Sequence, residues 1–120
     1  MSAQRILIVD DNAEAARALA VLLELWGHQV FLAHDGRAAL EQLRRWHPHV
    51  VLLDIGLPGM DGFEVAAALR RESGQGSLRV ISMSGMSRED DFARALQSGI
   101  DHHLHKPVEA SFLQSLLGPR

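Results

Sequence analysis

The sequence has no cysteine, which excludes a disulfide framework, a thiolate nucleophile and any cysteine-based metal centre. It has no apolar run near the roughly 20 residues of a membrane span, and its first ten residues carry no signal-peptide pattern. Its 12 basic residues are scattered and the net charge is −3, which argues against a nucleic-acid-binding surface built on clustered Lys and Arg. Lysine is almost absent: Lys106 is the only one among otherwise all-arginine basic residues. The plainer reading is a general bias toward arginine; the functional one is that the lone lysine marks a position where a planar guanidinium would not serve.

What is present fits one globular domain. The chain has 120 residues, 47% of them apolar and 22% charged. That length buries enough surface for a real core without staples. No linker, repeat or low-complexity segment interrupts it. Short apolar runs alternate with amphipathic stretches, the pattern of alternating strands and helices.

Ile6-Leu7-Ile8-Val9 and Val50-Val51-Leu52-Leu53 are continuously apolar, as buried parallel strands are. Further strands are predicted over 29–33, 78–83 and 102–105, the last short and polar enough to be an edge. After the first strand, Ala15, Leu19, Leu22, Leu23 and Trp26 recur at helical spacing, and Gly27 stops the helix. Asp35 caps a second helix that turns Ala39, Leu40 and Leu43 inward, pairs Glu41 with Arg45 outside, and ends before Pro48. A third helix is predicted from Phe63 to Glu72. A fourth opens at Ser87-Arg88-Glu89-Asp90 and closes at Gly99, and a fifth runs from Glu109 to Leu117. Five strands alternating with five helices give a doubly wound α/β sheet with right-handed crossovers.

Ligands in such sheets sit at the carboxyl ends of the strands. The residues predicted there are Asp10 and Asp11 after the first strand, Asp54 after the third, Ser84 after the fourth and Lys106 after the fifth. Three carboxylates held close repel one another, and a hard divalent cation relieves them. Few all-oxygen protein ligands, with room for water and phosphate, suit Mg²⁺ better than a closed Ca²⁺ cage. Lys106 and Ser84 add a point charge and a donor for an anionic group. A carboxylate nucleophile beside Mg²⁺, an ammonium and a hydroxyl is a device for phosphoryl transfer through an aspartyl phosphate. Each residue also has a plainer use: Asp11-Asn12 as a helix cap, Asp54 as a turn residue, Ser84-Gly85 and Pro58-Gly59 as turn chemistry.

These residues, their spacing, and the segments Leu53-Asp54-Ile55 and Pro58-Gly59-Met60-Asp61-Gly62 together resemble the receiver domains of two-component response regulators. The resemblance covers essentially the whole chain, residues 1–120. It implies a flavodoxin-like (βα)5 fold with strand order 2-1-3-4-5 and helices on both faces. It implies that Asp54 is the phospho-acceptor, that Asp11 ligates Mg²⁺ with help from Asp10, and that the backbone carbonyl of Gly56 is a further ligand. Ser84 and Lys106 would bind the phosphoryl oxygens, and Lys106-Pro107 would be a cis peptide. The implied partners are a histidine kinase or histidine phosphotransfer domain and a downstream protein, in the cytoplasm, without direct contact to nucleic acid or membrane.

Three features qualify the resemblance. The family usually has Tyr or Phe where this chain has His103, so His103 is the switch candidate, against the plainer reading of a solvent-facing edge residue. His102, His103 and His105 do not form a convincing metal set, because in a strand residues 103 and 105 share a face while 102 points away, and no third ligand is evident nearby. Gly56 and Met86, which flank the reacting group in this family, offer nothing to hold an attacking water, implying slow-to-moderate self-dephosphorylation. Two other functions compete. One is a small Mg²⁺-dependent phosphatase with an aspartate nucleophile, which usually has a general acid where Gly56 stands. The other is a docking-only pseudo-receiver, which would not need the complete acidic, hydroxyl and lysine set. Such a chain is not itself an enzyme beyond its own phosphorylation and dephosphorylation. It is either a stand-alone regulator or the receiver of a larger protein such as a hybrid histidine kinase.

Overall fold

The computed structural model describes residues 3–56, 61–73, 78–85 and 98–117. In chain order the elements are β1 (Arg5–Val9), α1 (Ala13–Leu25), β2 (Gln29–Ala33), α2 (Gly36–Trp46), β3 (Val50–Asp54), α3 (Gly62–Ser73), β4 (Arg79–Ser84), β5 (His102–His105) and α4 (Ala110–Leu116). The helix predicted from Ser87 to Gly99 falls almost wholly on residues outside those described, so four helices are on view among the described residues.

All strands are parallel in the order β2-β1-β3-β4-β5, the doubly wound order predicted for the chain. The alternation of side chains along a strand splits the core in two. Leu7, Val9, Val51, Leu53 and Val80 meet α2 and α3 through Ala39, Leu43, Phe63, Ala66 and Leu69. Ile6, Ile8, Val50, Leu52, Ile81 and Met83 meet α1 and α4 through Ala16, Ala20, Leu23 and Leu113. Strands sandwiched this way must be apolar on both faces, which is why β1 and β3 read as uninterrupted apolar runs.

Two local expectations need correcting. Ala15 is exposed, and the fully buried line of α1 is Ala16, Ala20 and Leu23, with Leu19 and Trp26 packed partly against it. Alanines at 13, 15, 16, 18 and 20 offer two apolar stripes one residue apart. The Asn12 cap, whose side chain accepts from the Ala15 amide at 3.1 Å, sets where the helix begins. Glu41 pairs with Arg37 at 3.8 Å rather than with Arg45, whose guanidinium lies 5.0 Å from the centre of the Trp46 ring.

Gly62 opens α3 where a side chain would not fit: a Cβ there would come within 2.8 Å of the Ile55 Cα. The chain leaving β3 and the start of α3 can therefore lie against each other directly behind Asp54. Asp61 supports that start by accepting from the Phe63 amide at 2.9 Å.

At the opposite edge of the sheet, polar side chains hold the strand starts. The Gln4 amide donates to Nδ1 of His28 at 3.1 Å and the Arg5 amide to Nδ1 of His49 at 2.9 Å. Gln4 Nε2 donates to the Leu117 carbonyl, and Arg79 Nη1 to the Leu116 carbonyl, so the last carbonyls of α4 are satisfied from the sheet. His28 is buried, and burial lowers its pKa below the usual 6.5. The unfolded chain then binds the His28 proton more readily than the folded one. This contribution to stability is whole above pH 6.5 and is lost as pH falls through the lowered folded value. Urea midpoints measured from about pH 7.5 down to about pH 5, on either side of an ordinary His, should fall. A His28→Asn variant, whose amide oxygen can still accept from Gln4, should show a shallower fall.

Candidate functional site

The parallel register carries the polar residues to one edge. Asp10 follows β1, Asp54 ends β3, Ser84 ends β4 and Lys106 follows β5. The ladder extends past each strand: the Ile55 amide donates to the Met83 carbonyl at 2.9 Å and the Lys106 amide to the Ser84 carbonyl at 2.8 Å. The four ends are thus fixed by backbone hydrogen bonds, not by loop conformation.

Asp10, Asp11 and Asp54 each offer a carboxylate oxygen within 4.8 Å of the others, the one such acidic or histidine grouping among the described residues. Asp10 and Asp54 are buried, whereas Asp11 is exposed. Lys106 Nζ lies 2.9 Å from Asp54 Oδ2 and 3.9 Å from Asp10 Oδ2. The other Asp54 oxygen, Oδ1, accepts from the Gly56 amide at 2.9 Å, and Asp10 Oδ1 accepts from the Asn12 amide at 2.9 Å. Each buried carboxylate therefore has a backbone donor on one oxygen and faces the lysine with the other. The Lys106-Pro107 peptide is cis.

Burial pushes the Asp10 carboxyl above its usual range, and the neighbouring Asp54 and Asp11 charges push the same way, against the Asn12 amide and Lys106. The donor set contains only hard oxygens, the crowding is anionic, and an exposed carboxylate stands at its rim. This set fits a hard divalent cation. In the metal-free protein the ionised Asp10 opposes folding. The folded state holds this proton more tightly than the unfolded chain, so stability is lost as pH rises through the raised folded pKa. We predict that Asp10→Asn raises the metal-free melting temperature at pH 7. That gain should vanish below the ordinary Asp value of 3.8, and divalent-cation affinity should fall. Thermal melts at two pH values with and without Mg²⁺ check it.

Ser84 stands at the same sheet edge and its hydroxyl lies 3.2 Å from Nε2 of His103. His103 is partly buried and turned onto β4, so it is not merely a solvent-facing edge residue. Its other nitrogen, Nδ1, lies 2.5 Å from the hydroxyl of Ser82. The His103 and His105 rings are 6.2 Å apart at 70°, and the three histidines form no metal grouping. Met86 lies outside the described residues. Two polar groups were not anticipated from the sequence. Ser82 is fully buried in β4, and its signal was a lone hydroxyl inside Val80-Ile81-Ser82-Met83. His34 sits beside the site, with Nδ1 3.0 Å from the Asp10 carbonyl, and nothing in its sequence context distinguished it.

Comparison with known proteins gives a consistent answer. Residues 6–117 match the response regulator receiver domain family. The DNA-binding response regulator MtrA of Mycolicibacterium paratuberculosis is 38% identical over 106 residues, covering 88% of this chain and 46% of that protein. The chain thus spans about half the length of the curated relatives it matches. Among solved structures, a CheY-like receiver domain protein from Methanospirillum hungatei JF-1 superimposes with a TM-score of 0.88 at 27% identity, covering 97% of this chain and 91% of that one. A response regulator from Burkholderia pseudomallei, solved with a phosphorylated aspartic acid and a calcium ion, superimposes with a TM-score of 0.86 at 26% identity over 93% of this chain and 65% of that one. Sequence and backbone agree over nearly the same residues, and the chain belongs to the response regulator receiver domain family.

Proposed function

We propose that this chain accepts a phosphoryl group from a phosphohistidine onto Asp54 and passes the signal on by protein contact. The observation that carries the reading is Asp54 itself: a buried carboxylate, oriented by the Gly56 amide, paired with the only lysine, and grouped with two further aspartates. In the reaction an Asp54 oxygen attacks phosphorus, the P–N bond of the phosphohistidine breaks, and the departing imidazole takes up a proton. Lys106 moves its charge from the carboxylate to a phosphoryl oxygen, and Ser84 donates its hydroxyl to another. Asp10, Asp11, Asp54 and the Gly56 carbonyl would hold Mg²⁺, which when bound would offset the negative charge shared by the carboxylates and the phosphoryl oxygens. The phosphorylated aspartate and the calcium ion in the Burkholderia pseudomallei regulator support this assignment.

The partners in this reading are a histidine kinase or histidine phosphotransfer domain and a downstream protein, all in the cytoplasm. No helix among the described residues is long and apolar enough to cross a membrane. DNA binding is named for relatives about twice as long, and the proposal gives this domain no nucleic-acid contact of its own. The domain catalyses only its own phosphorylation and dephosphorylation. Gly56 presents no side chain to hold water, so the aspartyl phosphate should decay slowly to moderately.

Incubation with a labelled phosphodonor, with and without Mg²⁺, tests the reading. It requires label on the protein that depends on Mg²⁺ and disappears with a chelator. Steady phosphate release from excess phosphomonoester would instead identify a phosphatase. Absence of label from acetyl phosphate and from a phosphohistidine domain, in a folded protein, would leave only a docking role.

A further inference from the structure

The Ser82–His103–Ser84 arrangement has no part in the proposal above beyond the Ser84 hydroxyl. β4 and β5 pair so that Ser82 is opposite His103, and Ser82 and Ser84, two residues apart, point to the same face. The imidazole therefore lies along β4 with one nitrogen at each hydroxyl, Nδ1 at 2.5 Å from Ser82 and Nε2 at 3.2 Å from Ser84.

The direction of these bonds follows from burial. Ser82 is completely buried, so its hydroxyl proton must go to a protein acceptor. Two acceptors are in reach, His103 Nδ1 at 2.5 Å and the His102 carbonyl at 3.5 Å, and the shorter takes it. A neutral imidazole that accepts at Nδ1 carries its proton on Nε2. That N–H then donates to the Ser84 oxygen. Ser84 accepts from the ring, so its own proton is not spent on His103, and hydrogen bonds linked in sequence polarise one another.

Resting on the reading of Ser84 as a phosphoryl-oxygen donor, we propose that His103 is a positioning residue, held in its Nε2–H tautomer by Ser82, that orients and polarises the Ser84 hydroxyl toward the phosphoryl group. Ser82 fixes the tautomer, His103 transmits it, and Ser84 acts on the ligand. With the opposite tautomer, Ser84 would donate to the ring and its proton would have to turn away before it could meet the phosphoryl oxygen.

The test has two arms on the full chain. Nitrogen-15 NMR of the His103 imidazole reports the tautomer directly. The expected spectrum has a protonated Nε2 and an unprotonated Nδ1 in the wild type, and loses that preference in Ser82→Ala. The rate of Asp54 phosphorylation by acetyl phosphate with Mg²⁺ should fall about fivefold in Ser82→Ala, the effect of one ordinary hydrogen bond, although Ser82 is not itself a ligand of the phosphoryl group. His103→Phe, which keeps a ring but no nitrogen, should fall at least as far, and His103→Gln, whose amide can donate to Ser84, should recover part of the rate. An Nδ1–H tautomer in the wild type overturns the relay, and so does a Ser82→Ala variant with unchanged tautomer and rate. A wild type that takes no label overturns the phosphoryl reading instead, while the NMR arm still decides the tautomer.

Discussion

A Lys106→Met variant should be phosphorylated about 100-fold more slowly than the wild type, the usual scale for removing one preorganised charge-stabilising donor. Lys106 Nζ touches Asp54 and stands within 3.9 Å of Asp10, so it is the cation positioned to follow charge from carboxylate to phosphoryl oxygen. Methionine keeps most of the apolar stem and deletes the charge, which isolates that role from packing. The same change leaves the Asp54 and Asp10 carboxylates facing each other without their ammonium. Lys106 is 37% exposed, so the cost lies between that of surface and buried pairs, about 1 to 2 kcal/mol in the metal-free protein. Added Mg²⁺ should stabilise the variant more than the wild type, because the cation no longer displaces a lysine from Asp54. Phosphorylation rates by intact mass and urea unfolding with and without Mg²⁺ measure both effects. An unchanged rate would remove Lys106 from the mechanism.

Arg70→Ala should be the most destabilising of the substitutions considered, by about 3 kcal/mol, equivalent to a fall of about 12 °C in melting temperature. From α3 the guanidinium donates to the Leu78 carbonyl at 2.6 Å, to the Gly99 carbonyl at 2.7 Å through Nη2 and 3.2 Å through Nε, and to Asp101 Oδ2 at 2.7 Å. Asp101 Oδ2 in turn accepts from the Val80 amide at 2.8 Å. One side chain thereby ties α3, the start of β4 and the approach to β5, and its loss leaves two carbonyls and a carboxylate without that donor. Arg70→Lys should recover little, because an ammonium cannot reproduce the planar fork. Urea denaturation of both variants checks this. A loss below about 1 kcal/mol, the value of a single ordinary bond, would show that the network contributes no more than one contact.

Legibility in the sequence followed the physics of each feature. The buried strands β1 and β3 were plain because both faces must be apolar. The site was legible because parallel strands deliver their ends to one edge, and carboxylates following apolar runs stand out there. The phase of α1 was not, since alanine at 15 and 16 serves equally on either of two stripes and only the cap decides. Glu41 had arginines available on both sides, and Trp46 drew Arg45 away. The Arg70 tie, the Gln4 and Arg79 hold on α4, and the two serines on His103 join residues far apart in the chain, where no periodicity signals them. Ser82 was visible as an oddity in an apolar strand, but its partner became apparent only with the β4–β5 register.

The most direct measurement is the intact mass of the protein after incubation with acetyl phosphate and Mg²⁺, beside an Asp54→Asn control. With Asp54 as acceptor, the wild type gains one phosphoryl group and the variant gains none. An equal gain in both would place the phosphoryl group elsewhere and contradict the site as assigned.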